Sequence, residues 1–364
     1  MKTKYIVLIG LLALLVVVLS GCASGLTASA WPAVMADANN AYIAGGPYVY
    51  AVNLQSGAQV WRFPDKPSTA APFYATPTLT SDGQLIVGGF DKKLYSLDPQ
   101  TGKSTWQFTD ARDRWIGPVL ATDSLIFAPN ADYNLYVLNL KGELQWTFMA
   151  DQSIWGRPVT DGTNVYFGTL GRKVYAVNLQ THKQAWVQTM DGAVLGSLVL
   201  GADNTLYVAS YGGTLYALNT ADGKTAWSKS ASSTWFWSGP VLTGGNLYVG
   251  DGNGKFMAFP AAGGEKLWEQ DLSGSIVGSP FISDTTIVIG TEVPGADTGN
   301  VYFLDSTGKI IRTLPLSGKD QAYGNPVGAG DLILMPLSTS DAKDPIMLAY
   351  DSTGAIKWSF IPPK

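Results

Sequence analysis

The sequence predicts an all-β fold, an eight-bladed β-propeller of four-stranded antiparallel blades, from three observations. A Leu-Tyr-Ala-like strand recurs eight times: Val49-Tyr50-Ala51, Leu94-Tyr95-Ser96, Leu135-Tyr136-Val137, Val174-Tyr175-Ala176, Leu215-Tyr216-Ala217, Phe256-Met257-Ala258, Val301-Tyr302-Phe303 and Met347-Leu348-Ala349. About ten residues after each comes a tryptophan, namely Trp61, Trp106, Trp146, Trp186, Trp227, Trp268 and Trp358, with Arg312 in the seventh slot. Successive members of this series are 40 to 46 residues apart. A period of this length built from strands and turns is the signature of propeller blades. Helical repeats of similar length need apolar positions at 3.6-residue spacing, and no long stretch has them.

Taken in order, residues 1–21 read as a signal peptide. Lys2 and Lys4 supply a positive start, Tyr5 to Leu19 an apolar run, and Leu19-Ser20-Gly21-Cys22 follows at once. That tetrapeptide resembles a bacterial lipobox, in which the cysteine is lipidated and becomes the mature N-terminus. The apolar run is shorter than the ~20 residues of a membrane span. Residues 22–30 form a lipidated Cys22 and a short tether, and the propeller occupies 31–364. Its blades are expected at about 31–63, 74–108, 115–148, 155–188, 195–230, 237–270, 277–314 and 323–360.

Each blade divides into four strands, A to D from the inside outward. In blade five these are expected at 196–200, 205–209, 214–219 and 225–230, joined by turns rich in Gly, Asn and Asp. Those residues tolerate positive φ or mimic a turn with the side chain. Blade one is expected to begin at its own strand A near Pro32 and the chain to end in a strand D, so the ring closes without obvious strand exchange.

The pattern Ala51-x-Asn53-x3-Gly57-x3-Trp61 repeats as Ser96-x-Asp98-x3-Gly102-x3-Trp106 and Ala217-x-Asn219-x3-Gly223-x3-Trp227. It resembles the tryptophan-docking motif of quinoprotein-type propellers (PQQ-like repeats), and the lipoprotein layout is similar to the family of the outer membrane assembly factor BamB. The resemblance implies that each Trp packs between neighbouring blades against a Gly-containing turn. A buried Trp removes ~150–250 Å² from water, roughly 4–6 kcal/mol gross. The copies depart from the pattern at His182, which stands where blade four should have Gly, in shorter turns of blades three and eight, and at Arg312. The seam between blades seven and eight is therefore expected to be held differently.

Composition narrows the function. Charged residues are 14% of the 364, and removing Lys2 and Lys4 leaves 22 basic against 28 acidic residues. A mildly acidic, exported chain is a poor fit to nucleic acid. Cys22 is the one cysteine, so there is no internal disulfide, no Cys-based metal cluster and no c-type haem motif. The quinoprotein alcohol dehydrogenases of the resembled family carry an adjacent Cys-Cys disulfide near the cofactor, which this chain lacks. His182 is the one histidine and falls in a turn, which argues against a catalytic triad or a His-based metal site. Asp251-Gly252-Asn253-Gly254 has the flavour of a calcium loop but lacks further carboxylates, so it reads as a turn.

The candidate site precedes strand A. Aligned on the proline, or its equivalent, that opens the strand, the residue three before is Ser29, Tyr74, Trp115, Trp155, Leu195, Trp237, Val277 and Tyr323. Strand A is innermost, so Tyr74, Trp115, Trp155, Trp237 and Tyr323 are expected around the mouth of the central channel, with Arg157, Arg112 and Arg114 close by. The irregular segments 64–73, 292–300 and 338–345 are expected on the same face, where binding usually lives. The leading expectation is a non-enzymatic, monomeric, lipid-anchored extracytoplasmic scaffold that binds an envelope protein partner, as the resemblance implies, with no cofactor and no metal. The alternative is a propeller binding pyrroloquinoline quinone with calcium, or a sugar, with a dehydrogenase or sensor role.

Overall fold

The computed structural model describes residues 32–363 apart from 69–71, 294, 297, 317–319 and 340. The signal peptide, Cys22 and the tether lie outside the described residues.

Among the described residues, thirty-two strands pair into eight separate four-stranded antiparallel sheets, each made of four strands consecutive in sequence. No helix occurs among the described residues. In blade five, strands B, C and D run over Thr205–Ala209, Thr214–Asn219 and Thr225–Ser230, as the turn residues predict. Strand A is shorter than predicted, Val199–Leu200. Gly196, just before it, runs along the next blade instead of joining the ladder; a β-carbon there would lie 1.9 Å from the Gly239 backbone nitrogen.

Burial follows position in the blade. Leu206 to Ala209 of strand B are all buried, because neighbouring blades cover both faces of the sheet. The outer strand D of the same blade alternates exposed and partly buried positions, Ser228 being exposed and Trp227 turned inward. The apolar core is accordingly divided among the seams. One cluster joins Tyr166, Val174 and Trp186 of blade four to Val194, Leu206 and Val208 of blade five. Another joins Tyr50, Val52 and Leu54 of blade one to Leu334, Met347 and Phe360 of blade eight. The ring thus closes by side-chain packing between two complete sheets.

The tryptophans fasten the seams. Trp61 donates its indole N–H to Pro99 O at 2.9 Å and packs on Gly102 of the next blade, where a β-carbon would lie 2.6 Å from the ring. Trp186 does the same with Thr220 O (2.7 Å) and Gly223, and Trp227 with Ala261 O (3.2 Å) and Gly263. Trp358, on the last strand, bonds Leu54 O at 2.7 Å and packs on Gly57, so the same device closes the ring. Trp106 and Trp268 pack on Gly142 and Gly308. In seven blades the ladder between strands C and D slips by one residue beside this slot; in blade one Ala51 pairs Trp61 and Val52 pairs Gln59, leaving Val60 over. Such a bulge adds twist and re-aims the side chain beside it.

Two of the departures, His182 and Arg312, are accommodated locally. His182 takes φ 57° where the other turns have Gly, and its ring stacks on Trp146 with centroids 4.6 Å apart and planes 13° apart. Arg312 reaches the same turn as a Trp would, its Nη1 donating to Thr353 O at 2.9 Å. The expected irregular segment 292–300 is strand at both of its ends: Ile287–Val293 and Thr298–Leu304 pair from Ile287–Leu304 out to Val293–Thr298, extending blade seven.

Candidate functional site: the channel mouth

The connections from D to A and the B–C turns lie together on one face and bond to each other. Leu170 N–H donates to Ser153 O, Tyr211 N–H to Ala193 O and Gly252 N–H to Trp235 O. Asp191 in one such connection accepts from the hydroxyls of Ser210 and Thr214, both at 2.5 Å. Burial of Asp191 opposes ionisation, but these hydroxyl bonds outweigh it and hold its pKa below the usual carboxylate range.

The D–A connections alternate as they enter strand A. In blade four Ile154 is buried, Trp155 partly exposed, Gly156 buried and Arg157 exposed. The buried residue is tethered to the preceding blade: Ile154 N–H donates to Asn130 O, Val194 to Thr169 O, Phe236 to Ser210 O and Ile276 to Asp251 O. The next residue faces the axis. Tyr74, Ile116, Trp155, Leu195, Trp237, Val277 and Tyr323 line a central cavity of about 260 Å³ to which all eight blades contribute. Glycines permit the blades to approach this closely; at Gly117 a β-carbon would lie 2.1 Å from Trp155 O, and at Gly156 2.4 Å from Gly196 O.

Tyr74, Trp155, Trp237 and Tyr323 therefore stand around the channel where the alignment put them. Trp115 does not, and its expected place at the mouth is corrected. It is 0% exposed, packs among Phe108, Val119, Ile126 and Tyr136, and donates its backbone N–H to Gly89 O, the tether that Ile154 makes in blade four. Its neighbour Ile116 takes the channel position. In blade three the proline comes one residue early, as Gly117-Pro118 against Gly156-Arg157-Pro158, so alignment on proline misplaces the whole connection by one. The same alignment misplaces blade one. Tyr42 pairs Met35 and bonds Asp37, just as Tyr166 pairs Val159 and bonds Asp161, which sets Pro32 opposite Gly156. Ser29 is thereby out of register, and it lies outside the described residues.

Arg157 lies two residues past Trp155, on the same side of the extended chain. Its backbone N–H donates to Ser197 Oγ (3.1 Å) and its Nε to Val119 O (3.3 Å). The side chain is solvent-accessible, yet enough protein surrounds it that desolvation lowers the guanidinium pKa. Arg112 and Arg114 are exposed nearer the rim, and Arg114 stacks on Phe90 at 5.2 Å.

Two further aromatic groups occupy this face. Phe90 meets Tyr74 edge-on, with centroids 4.9 Å apart. Tyr211, 42% exposed, lies parallel to Trp235 (5.9 Å, 5°), and Trp237 meets both edge-on. Tyr211 and Phe90 sit in B–C turns, outside the series aligned on strand A. An aromatic beside the turn glycines, as in Tyr211-Gly212-Gly213, is the signal that could have found the first.

Asp251 is buried in a tight turn, accepting backbone N–H bonds from Asn253 and Lys255 and the Ser232 hydroxyl. Among the described residues no group of three His, Cys, Asp or Glu side chains is placed to hold a metal ion.

A sequence model of the family described as outer membrane protein assembly factor BamB matches residues 46–154, 142–236 and 229–310, well over half of the chain. No curated protein matches. Among solved structures the chain is similar to BamB from Moraxella catarrhalis, with 20% identity, 84% of this chain and 90% of that chain covered, and a TM-score of 0.67. It is also similar to the computationally designed protein Ika8, with 13% identity, 92% and 97% covered, and a TM-score of 0.72. At these identities the structural likenesses speak for the fold.

Proposed function

Because the chain belongs to the family of the outer membrane protein assembly factor BamB, we propose that it is a non-enzymatic, lipid-anchored scaffold at the cell envelope. It holds a protein partner on the face that carries the channel mouth. The observation that carries this reading is the cluster of Tyr211, Trp235 and Trp237, three rings packed on one another at an accessible edge of that face. Aromatic groups of this kind, apolar in body and polar at one atom, are enriched at the centres of protein interfaces. The Arg114–Phe90–Tyr74 group supplies a second, cationic contact on the same face. Cys22 is the anchoring residue in this reading.

A photo-crosslinking residue at position 211, in cells of the native host, tests it. The expected result is one predominant adduct with an envelope protein, lost in Trp235→Ala/Trp237→Ala, together with impaired membrane-protein assembly in that variant. A folded double variant that assembles envelope proteins normally, with adducts forming instead from the opposite face at Lys141, overturns it. Labelling with radioactive palmitate, abolished in Cys22→Ser, tests the anchor.

A further inference from the structure

The central cavity has walls that are aromatic and polar but carry no charge. Among the described residues that line it there is no Asp, Glu, Lys, Arg or His. Tyr74, Trp155, Trp237 and Tyr323 line it and are each partly exposed, so ring surface is left for a ligand. The indole N–H of Trp155 is buried and has no acceptor in the protein. Two residues past the channel position, in four of the connections, stand Thr76, Ser197, Ser279 and Asn325, which also line the cavity. Bonds between blades fix three of these: Arg157 N–H donates to Ser197 Oγ (3.1 Å), Ser279 N–H to Asn325 Oδ1 (2.7 Å) and the Ser279 hydroxyl to Gly239 O (3.2 Å). Ser197 and Asn325 are acceptors in these bonds, which leaves the Ser197 hydroxyl proton and the Asn325 amide protons to donate elsewhere.

We infer that the central channel is a binding site for an uncharged saccharide ring, packed on the aromatic wall and hydrogen-bonded by the polar level beside it. A sugar ring joins an apolar C–H face to a rim of hydroxyls that both donate and accept, and this wall offers a partner for each. A ligand hydroxyl gives the Trp155 N–H the acceptor it lacks; a buried donor left unpaired is costly, so that bond favours the occupied state. The neutral wall selects the class of ligand. Pyrroloquinoline quinone, the cofactor of the resembled quinoproteins, is a tricarboxylate, and burying its charges beside a wall without a cationic side chain is unfavourable. A cavity of about 260 Å³ suits a single sugar ring. This site lies on the channel axis, and Trp237 is the one residue it has in common with the partner surface at Tyr211 and Trp235.

The test is calorimetric titration of the full chain in a polyoxyethylene detergent, which has no sugar headgroup. The probes are D-glucose, N-acetyl-D-glucosamine, the acyclic D-glucitol and pyrroloquinoline quinone. At least one of the two ring sugars is expected to bind with a Kd of ~1 mM or below, and D-glucitol, which has the hydroxyls without the ring face, at least tenfold more weakly. Trp155→Phe, which keeps a ring and removes the N–H, is expected to weaken sugar binding several-fold. Asn325→Ala, at an exposed position, is expected to do the same with thermal melting unchanged, so the test does not depend on how well a Trp155 variant folds. Tyr211→Ala is expected to bind the sugar as the wild type does, which separates this site from the partner surface. Failure of both ring sugars to bind the wild type, equal binding of D-glucitol, or sugar binding unchanged in both Trp155→Phe and Asn325→Ala overturns the inference, as does binding of the quinone in place of a sugar.

Discussion

Trp115 is seated on Gly88: a β-carbon at Gly88 would lie 2.4 Å from that of Trp115. The same relation recurs where Gly168 meets Val194, Gly250 meets Ile276 and Gly290 meets Ala322, with the glycine at or near the end of strand B and the partner in the connection to the next blade. The glycine is needed for space, because the incoming connection occupies the volume a side chain would take.

From this follows a separation of roles. Gly88→Ala is expected to cost about 1–3 kcal/mol by overpacking, and Trp115→Ala about 3–5 kcal/mol by leaving a cavity. Both are read by chemical denaturation. A Trp115→Ala variant that keeps wild-type stability would contradict the buried placement.

The seam between blades eight and one depends on Trp358. Trp358→Ala is expected to lose about 3–5 kcal/mol, because among the described residues the ring closes by packing between two complete sheets, with no exchanged strand. At the seven/eight seam Gly354 already has φ 79° and stands at the Arg312 side chain. Arg312→Trp is therefore expected to gain roughly 1 kcal/mol, the increment of a well-placed aromatic contact. A loss of stability in that variant would show that the turn of blade eight has no room for an indole.

Asp320 gives a pH signature. It is 2% exposed, its Oδ1 has no hydrogen-bond partner, and its pKa is raised to about 6 by burial first and then by Asp344 and Asp341, against a lowering bond from Thr339. A carboxyl with a raised folded pKa binds more protons folded than unfolded, so its contribution falls as pH rises from near 4 to above 6. Asp320→Asn should match the wild type below pH ~4 and exceed it at pH 7 by at most about 3 kcal/mol. Urea denaturation across that range checks it; a difference that shrinks with rising pH would contradict it.

Much of the ring was legible in the chain. The repeat of strand C and the docking tryptophans gave eight blades, their order and the turn at Gly223, because these features are local and repeat with one period. In blade five the edges of strands B, C and D followed from residues such as Asn204, Gly213 and Gly223, whose φ is positive. The bulge beside Trp61 was not legible, since a ladder slip depends on the partner strand.

The sequence by itself determined the fold, the blade order and a set of aromatic residues gathered near strand A. Only the tertiary structure decided which of them face the channel. Trp115 and Trp155 each have a proline three residues on, with the glycine between them at a different place, yet one is core and the other lines the cavity. The alternation of an extended segment gives two faces, and which face turns inward is set by where the backbone is tethered to the preceding blade, at Gly89 O and Asn130 O. That contact spans neighbouring blades, and spacing within one connection does not carry it.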